Sequence, residues 1–145
     1  MTYSRREQAY KYRVVSYSLD YWPAMRIHNW RWLWTRLDWW HREPFGYNVR
    51  LYLAVTQLGA FVGYAYLEGN ELLYIETHDT ADGAGTALLL FLQATYNELW
   101  VRNTESTNTL IRFYSNMSFS VTGGPRTGAY DWHWKRRNVR SRRNG

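Results

Sequence analysis

Three β-forming runs follow one another between Val49 and Thr77 with only short polar breaks, and no other feature narrows the fold as much. Val49 to Thr56 (VRLYLAVT) and Ala60 to Leu67 (AFVGYAYL) are joined by Gln-Leu-Gly, a hairpin connection. Glu68-Gly-Asn-Glu71 makes a second turn, and Leu72 to Thr77 (LLYIET) a third strand. A short polar loop ending in Asp82-Gly83-Ala84-Gly85 then runs into the apolar stretch Thr86 to Trp100, which predicts a helix. This loop poses the functional question. Its glycines either let main-chain amides meet a phosphate or only shape a tight turn, with Asp82 capping a core helix.

On either side the pattern continues. Tyr12 to Leu19 (YRVVSYSL) reads as a strand. Asp20 and Pro23 mark the start of a helix over 24–41, where Trp30, Leu33, Trp34 and Leu37 recur at helical spacing. Trp30, Trp32 and Trp34 also fit a two-residue period; the length of the stretch and its stop at Glu43-Pro44 favour helix. Leu99 to Asn103 predicts a short strand and Thr104 to Met117 a polar-capped helix. Phe119 to Thr122 and Tyr130 to Lys135 then pair as a hairpin around Gly123-Gly124-Pro125. Strands and helices in this order give an α+β domain.

No repeat or Gly/Ser linker divides the chain, so residues 1–134 are expected to form a single domain and 135–145 a basic tail. The tail explains the charge. The net +6 comes from six Lys and Arg after residue 134, with no acid there; the other twelve basic residues are matched by twelve Asp and Glu. Such a run is ordinarily solvated, and its partner, if it has one, is a weakly held nucleic acid. With no cysteine, disulfides and thiolate metal sites are excluded. His28 and His41 lack a carboxylate at ligand spacing, so no metal is expected. No apolar run reaches the ~18 residues a membrane span needs, and no secretory signal opens the chain. The expected setting is a soluble, cytoplasmic domain. Five tryptophans within eleven residues, Trp30, Trp32, Trp34, Trp39 and Trp40, supply packing, a ligand wall or a protein-partner surface.

The order of elements resembles the GNAT superfamily of acyl-CoA-dependent N-acyltransferases, and two motifs carry the resemblance. The family's phosphate loop, Gln/Arg-x-x-Gly-x-Gly/Ala, aligns with Thr80-Ala81-Asp82-Gly83-Ala84-Gly85. Its helix ending in Tyr-x-x-x-Gly-Phe aligns with Tyr114-Ser-Asn-Met-Ser118-Phe119. The strand LWVRN lies between the two at a suitable distance, and the resemblance spans roughly residues 12–135.

What the resemblance implies is specific. The fold would be a central, mixed, mostly antiparallel sheet of about six to seven strands flanked by helices. Acetyl-CoA or another acyl-CoA would be the co-substrate, held by Ile75, Thr77, Thr80, Ala81, Asp82, Gly83, Ala84, Gly85 and Thr86. Glu76 would take the proton from an amine acceptor of unknown identity, with His78 the second candidate, and Tyr114 would protonate the departing thiolate. The segment after the first strand and the terminal hairpin, with Trp132, His133 and Trp134, would shape the acceptor site.

The sequence departs from the family at Thr80, where Gln or Arg is usual, and at Ser118, where glycine is. Asp82 adds a charge in the phosphate loop. A carboxylate ~4 Å from a phosphate charge costs on the order of 4 kcal/mol at an effective dielectric of ~20, so Asp82 is expected to point away or cap the helix. A non-catalytic protein of the same fold is the alternative, for example a virion component, because LWVRNT…LIRF is similar to segments of small virion proteins of T7-like phages.

Overall fold

The computed structural model describes residues 8–17, 49–78, 82–105, 107–126 and 129–137. The helix expected over 24–41 lies outside the described residues, together with Asp20, Pro23, His28, His41 and the five tryptophans.

Strands β1 (Arg13–Tyr17), β2 (Val49–Val55), β3 (Phe61–Glu68) and β4 (Glu71–Thr77) lead into helix α1 (Ala84–Thr95). Strand β5 (Glu98–Glu105), helix α2 (Asn108–Asn116) and strands β6 (Ser120–Arg126) and β7 (Ala129–Lys135) follow. The strands form one seven-stranded sheet in the order β1-β2-β3-β4-β5-β7-β6. Every neighbouring pair is antiparallel except β4–β5, which is parallel because α1 carries the chain back to its starting edge. The expected α+β architecture is the observed one.

Cross-strand register assigns the side chains of the meander to two faces. Tyr52, Ala65 and Ile75 align on the face where α1 packs, and Leu88, Leu89 and Leu92 of that helix close a core with Tyr52, Ala54, Ala65 and Leu67. Fully burying one such leucine contributes ~1.5–3 kcal/mol. Leu53, Tyr64 and Glu76 align on the opposite face, as do Leu51, Tyr66 and Tyr74. Leu53 and Tyr64 are each 1% exposed, so the sheet is covered on both sides of its centre.

The boundaries correct the sequence reading in three places. The helix expected over Thr86–Trp100 spans Ala84–Thr95, because Tyr96 turns extended and the chain then alternates, with Leu99 and Val101 buried and Trp100 and Arg102 on the other face. The helix expected from Thr104 begins at Asn108, where the Thr107 hydroxyl accepts the Leu110 amide at 3.3 Å; Thr104 belongs to β5. Gly123, Gly124 and Pro125 are not a turn but part of β6. This strand lies at the sheet edge, and its register with β7 shifts twice, at Val121/Gly123 and Gly123/Arg126. An edge tolerates a proline because the missing N–H removes no bond on the open side.

The second motif is explained by how α2 ends. The Phe119 amide donates to the Tyr114 carbonyl at 3.0 Å and the Ser118 amide to the Ser115 carbonyl at 3.1 Å, the paired bonds of a Schellman stop. Its apolar contact is between Tyr114 and Phe119, with ring centroids 5.5 Å apart. The residue between them must adopt a left-handed backbone, and here it is Ser118 at φ 68°. Serine pays strain there that glycine does not. Replacing Ser118 by glycine is therefore expected to stabilise the protein by about 1 kcal/mol after the entropy of the unfolded glycine is subtracted. A rise in Tm of ~2–4 °C checks it.

The basic tail begins inside the fold. Lys135 is the last residue of β7, and the Arg136 guanidinium donates to the carbonyls of Gln93 and Ala94, both at 2.9 Å, at the C-terminal end of α1. A cation at that end meets the negative pole of the helix. Residues 138–145 lie outside the described residues.

Candidate active site

β4 and β5 meet at one register pair, Glu71 with Trp100, next to a 2.9 Å bond from the Trp100 amide to the Asn70 carbonyl. Beyond it the strands part, β4 running on to Thr77 while β5 turns to β7 for its partners. The vertex is fastened on the face away from α1. Arg102 Nε donates to Glu71 Oε1 at 2.8 Å and the guanidinium lies 4.7 Å from the Trp100 ring centroid. His133 stacks on that ring at 4.0 Å, with its Nε2 2.7 Å from Glu98 Oε2. Exposed ion pairs of this kind contribute ~0.2–1 kcal/mol each, so the cluster shapes the junction more than it stabilises the fold.

At the open end of β4 lies a cleft of about 250 Å³. The end of β4 (Ile75, Glu76, Thr77) and His78 form one wall, the start of α1 (Gly83, Gly85, Thr86) with Asp82 a second, and Thr109, Leu110 and Phe113 of α2 the third. Ile75 and Thr77 face the α1 side of the sheet, whereas Glu76 faces the other, so the cleft joins the two faces where the strands part.

The start of α1 can receive an anion. Gly83 is the N-cap, at φ 88°, and no side chain caps the helix. The first turn closes with the Ala87 amide on the Gly83 carbonyl at 2.9 Å, which leaves the amides of Ala84, Gly85 and Thr86 with no partner inside the helix. The expectation that Asp82 caps the helix is thus not met. Its carboxylate lines the cleft instead, and the Tyr12 phenol is pushed up first by burial and then by the Asp82 charge.

The two glycines of the loop do different things. A Cβ on Gly83 would lie 2.8 Å from Gln8 Cβ and 2.9 Å from its carbonyl carbon, so Gly83 is fixed by the N-terminal segment and by its backbone angle. A Cβ on Gly85 would instead point at Phe113, 3.3 Å from Cζ, and at Thr77 Cγ2, 3.7 Å away. Gly85 lets the start of α1 pack closely on Phe113 of α2 and on Thr77 at the floor of the cleft. Thr80 and Ala81 lie outside the described residues, and Ala84 is fully buried in the core, so among the expected contacts it can offer only its backbone.

Glu76 is held from behind. Tyr64, its cross-strand partner on β3, donates its hydroxyl to Glu76 Oε1 at 2.5 Å. His78 is exposed at the rim, its amide bonded to the Val62 carbonyl at 2.8 Å.

Tyr114 does not line the cleft. It is 3% exposed, among Phe113, Phe119 and Trp132 with ring centroids 5.2, 5.5 and 5.7 Å away, and burial pushes its phenol up to about 12. The aromatic residue of α2 that reaches the cleft is its neighbour Phe113, which the sequence reading did not single out. Trp132 is likewise 2% exposed in the core, and Trp134 packs against it. Tyr64 was also missed; the signal for it was its place in a strand facing that of Glu76, readable only once the register is known. Among the described residues no three His, Asp or Glu side chains gather to hold a metal ion, and no helix is long and apolar enough to cross a membrane.

No family model and no curated protein matches the sequence. Solved structures do. PaiA N-acetyltransferase from Thermoplasma acidophilum, in complex with coenzyme A, superposes with a TM-score of 0.58 at 15% identity over 86% of this chain and 98% of that one. A histone acetyltransferase HPA2-related acetyltransferase from Corynebacterium glutamicum gives 0.59 at 13% identity, over 89% and 98%. The GNAT domain of S. lividans PAT gives 0.60 at 12%, over 86% and 90%. With the parted β4–β5 pair, the uncapped start of α1 and these superpositions, the chain has the fold of the GNAT superfamily.

Proposed function

We propose that the chain is an acyl-CoA-dependent N-acyltransferase, in which an acceptor amine attacks the thioester directly. The observation that carries this reading is the cleft where β4 and β5 part, with free helix amides on one side of the sheet and a carboxylate on the other. The acceptor is a primary amine whose chemical identity is set by the face on which Glu76 lies.

Acetyl-CoA supplies the acyl group as a thioester; binding, orientation and proton transfer fall to the chain. The amides of Ala84, Gly85 and Thr86 suit its diphosphate, since they have no partner inside the helix and the positive end of α1 lies behind them. The attached chain would run along the cleft between the end of β4 and the start of α1. The backbone of Ile75–Thr77 orients the thioester, which converts a bimolecular encounter into a positioned one. Glu76 takes the proton from the ammonium, directly or through a water, because only the neutral amine has a lone pair to attack with.

Tyr114 has a narrower part than the resemblance implies. At about 12 its phenol holds its proton far more tightly than a thiol does, an ordinary cysteine thiol titrating at ~8.5. Buried and outside the cleft lining, it packs on Phe113 with ring centroids 5.2 Å apart and does not reach the sulfur, so the C–S bond breaks with coenzyme A leaving as the thiolate and taking its proton from solvent.

Asp82 opposes the anion. In an exposed loop the repulsion approaches the water limit of ~1 kcal/mol, a factor of about five in affinity. Titrating acetyl-CoA into the wild-type protein, by calorimetry or thermal shift, tests the function, and Asp82→Asn is expected to bind about fivefold more tightly. No stabilisation at millimolar acetyl-CoA in either protein would favour the non-catalytic reading.

A further inference from the structure

The site contains one contact that phosphate binding does not call for. Tyr64 is among the most completely buried large side chains of the protein, at 1% exposure, yet it brings a hydroxyl to the interior. A buried hydroxyl needs a partner, and losing it costs ~1–3 kcal/mol. The partner here is Glu76 Oε1 at 2.5 Å, a short hydroxyl–carboxyl hydrogen bond. Tyr64 and Glu76 are also register partners on adjacent antiparallel strands, so the backbone ladder of β3 and β4 fixes the separation of their Cβ atoms.

The anchorage of Tyr64 is independent of the cleft. Its ring stands on the face of the sheet shared with Leu53, away from α1 and the glycine loop. Gly63, the residue before it, lies where a Cβ would be 3.1 Å from Thr77 Cγ2 and 3.3 Å from the Glu76 carbonyl oxygen, so β3 and β4 are drawn close at this point. A glutamate carboxylate has three rotatable bonds between it and the backbone. With one oxygen tied to a side chain that cannot itself move, most of that freedom is gone.

Given the acyltransferase reading, on which this rests, we infer that Tyr64 is the positioning residue for Glu76, holding its carboxylate at the parting of β4 and β5 in the orientation that receives the acceptor's proton. Tyr64 touches neither substrate. It acts only through Glu76.

A double-mutant cycle on the full chain tests this, using Tyr64→Phe, Glu76→Gln and both together, with kcat/KM for an amine acceptor such as a primary alkylamine and the Kd of acetyl-CoA measured for each. The expected result is a tenfold or greater fall in kcat for Tyr64→Phe, an unchanged Kd for acetyl-CoA, and no further loss when Tyr64→Phe is added to Glu76→Gln. A merely structural tyrosine would lower Tm and act additively on rate. Additive losses, or a Tyr64→Phe protein with wild-type kcat, would overturn the inference. If the wild-type protein neither binds acetyl-CoA nor turns over, it is the acyltransferase reading that fails, and calorimetry on the wild type alone shows it.

Discussion

Replacing Gly85 by valine is expected to abolish acetyl-CoA binding while leaving the protein folded. Gly85 sits in the first turn of α1 with an ordinary helical backbone, and valine there recovers part of the helix propensity that glycine lacks. Its Cβ would stand 3.3 Å from the tip of Phe113, and the two added methyl groups would crowd Phe113 and the cleft that both residues line. Ligand at ~100 times its Kd stabilises the wild type by ~2.7 kcal/mol, about 5–10 °C in Tm for a chain of this size. The valine protein should show none of that shift, and an unliganded Tm only a few degrees below wild type, since crowding Phe113 costs ~1–3 kcal/mol against the helix propensity gained. Gly83→Ala makes the contrast. Its φ of 88° and the 2.8–3.0 Å approach to Gln8 and Ala9 put strain into the fold itself, at a cost of about 3 kcal/mol, so a loss of binding there would say nothing about the cleft. A valine protein that still gains stability from acetyl-CoA would place the ligand elsewhere.

Much of this arrangement could be read from residue order, and the parts that could not share a cause. The meander was legible because Val49–Leu67 holds two runs of β-forming residues and the polar turns are short. The start of α1 was legible because glycines followed by an apolar run have few other uses. Partnership across strands was not. Glu76 stood out in the sequence as a carboxylate at a strand end, but Tyr64, twelve positions earlier, carries no mark until the bulge between Tyr66 and Leu67 has set which residues face each other. The Tyr114 motif is ambiguous for a related reason. Its spacing is required by the Schellman stop, where Tyr114 packs on Phe119 and Ser118 turns left-handed, so the same pattern arises whether or not the phenol takes part in chemistry. Within edge strand β6, Gly123-Gly124-Pro125 reads as a turn because glycine and proline break central strands, and nothing local says that this strand has an open side.

Glu76→Gln tests the chemistry most directly. Glutamine keeps the shape of the side chain and an oxygen for the Tyr64 hydroxyl, so the sheet and the cleft are expected to survive, but its amide cannot take a proton. Glu76 stands on the opposite face of β4 from Ile75 and Thr77, across the sheet from the helix amides, so acetyl-CoA binding should be unchanged. The loss should fall on turnover, by the ~10²–10⁴-fold that a positioned base contributes. Parallel steady-state kinetics and calorimetry separate the two quantities. His78 offers the contrast, because it lines the same cleft from the exposed rim. If Glu76→Gln retains more than a tenth of wild-type turnover while His78→Gln does not, the proton leaves by the imidazole, and the carboxylate held by Tyr64 is part of the scaffold.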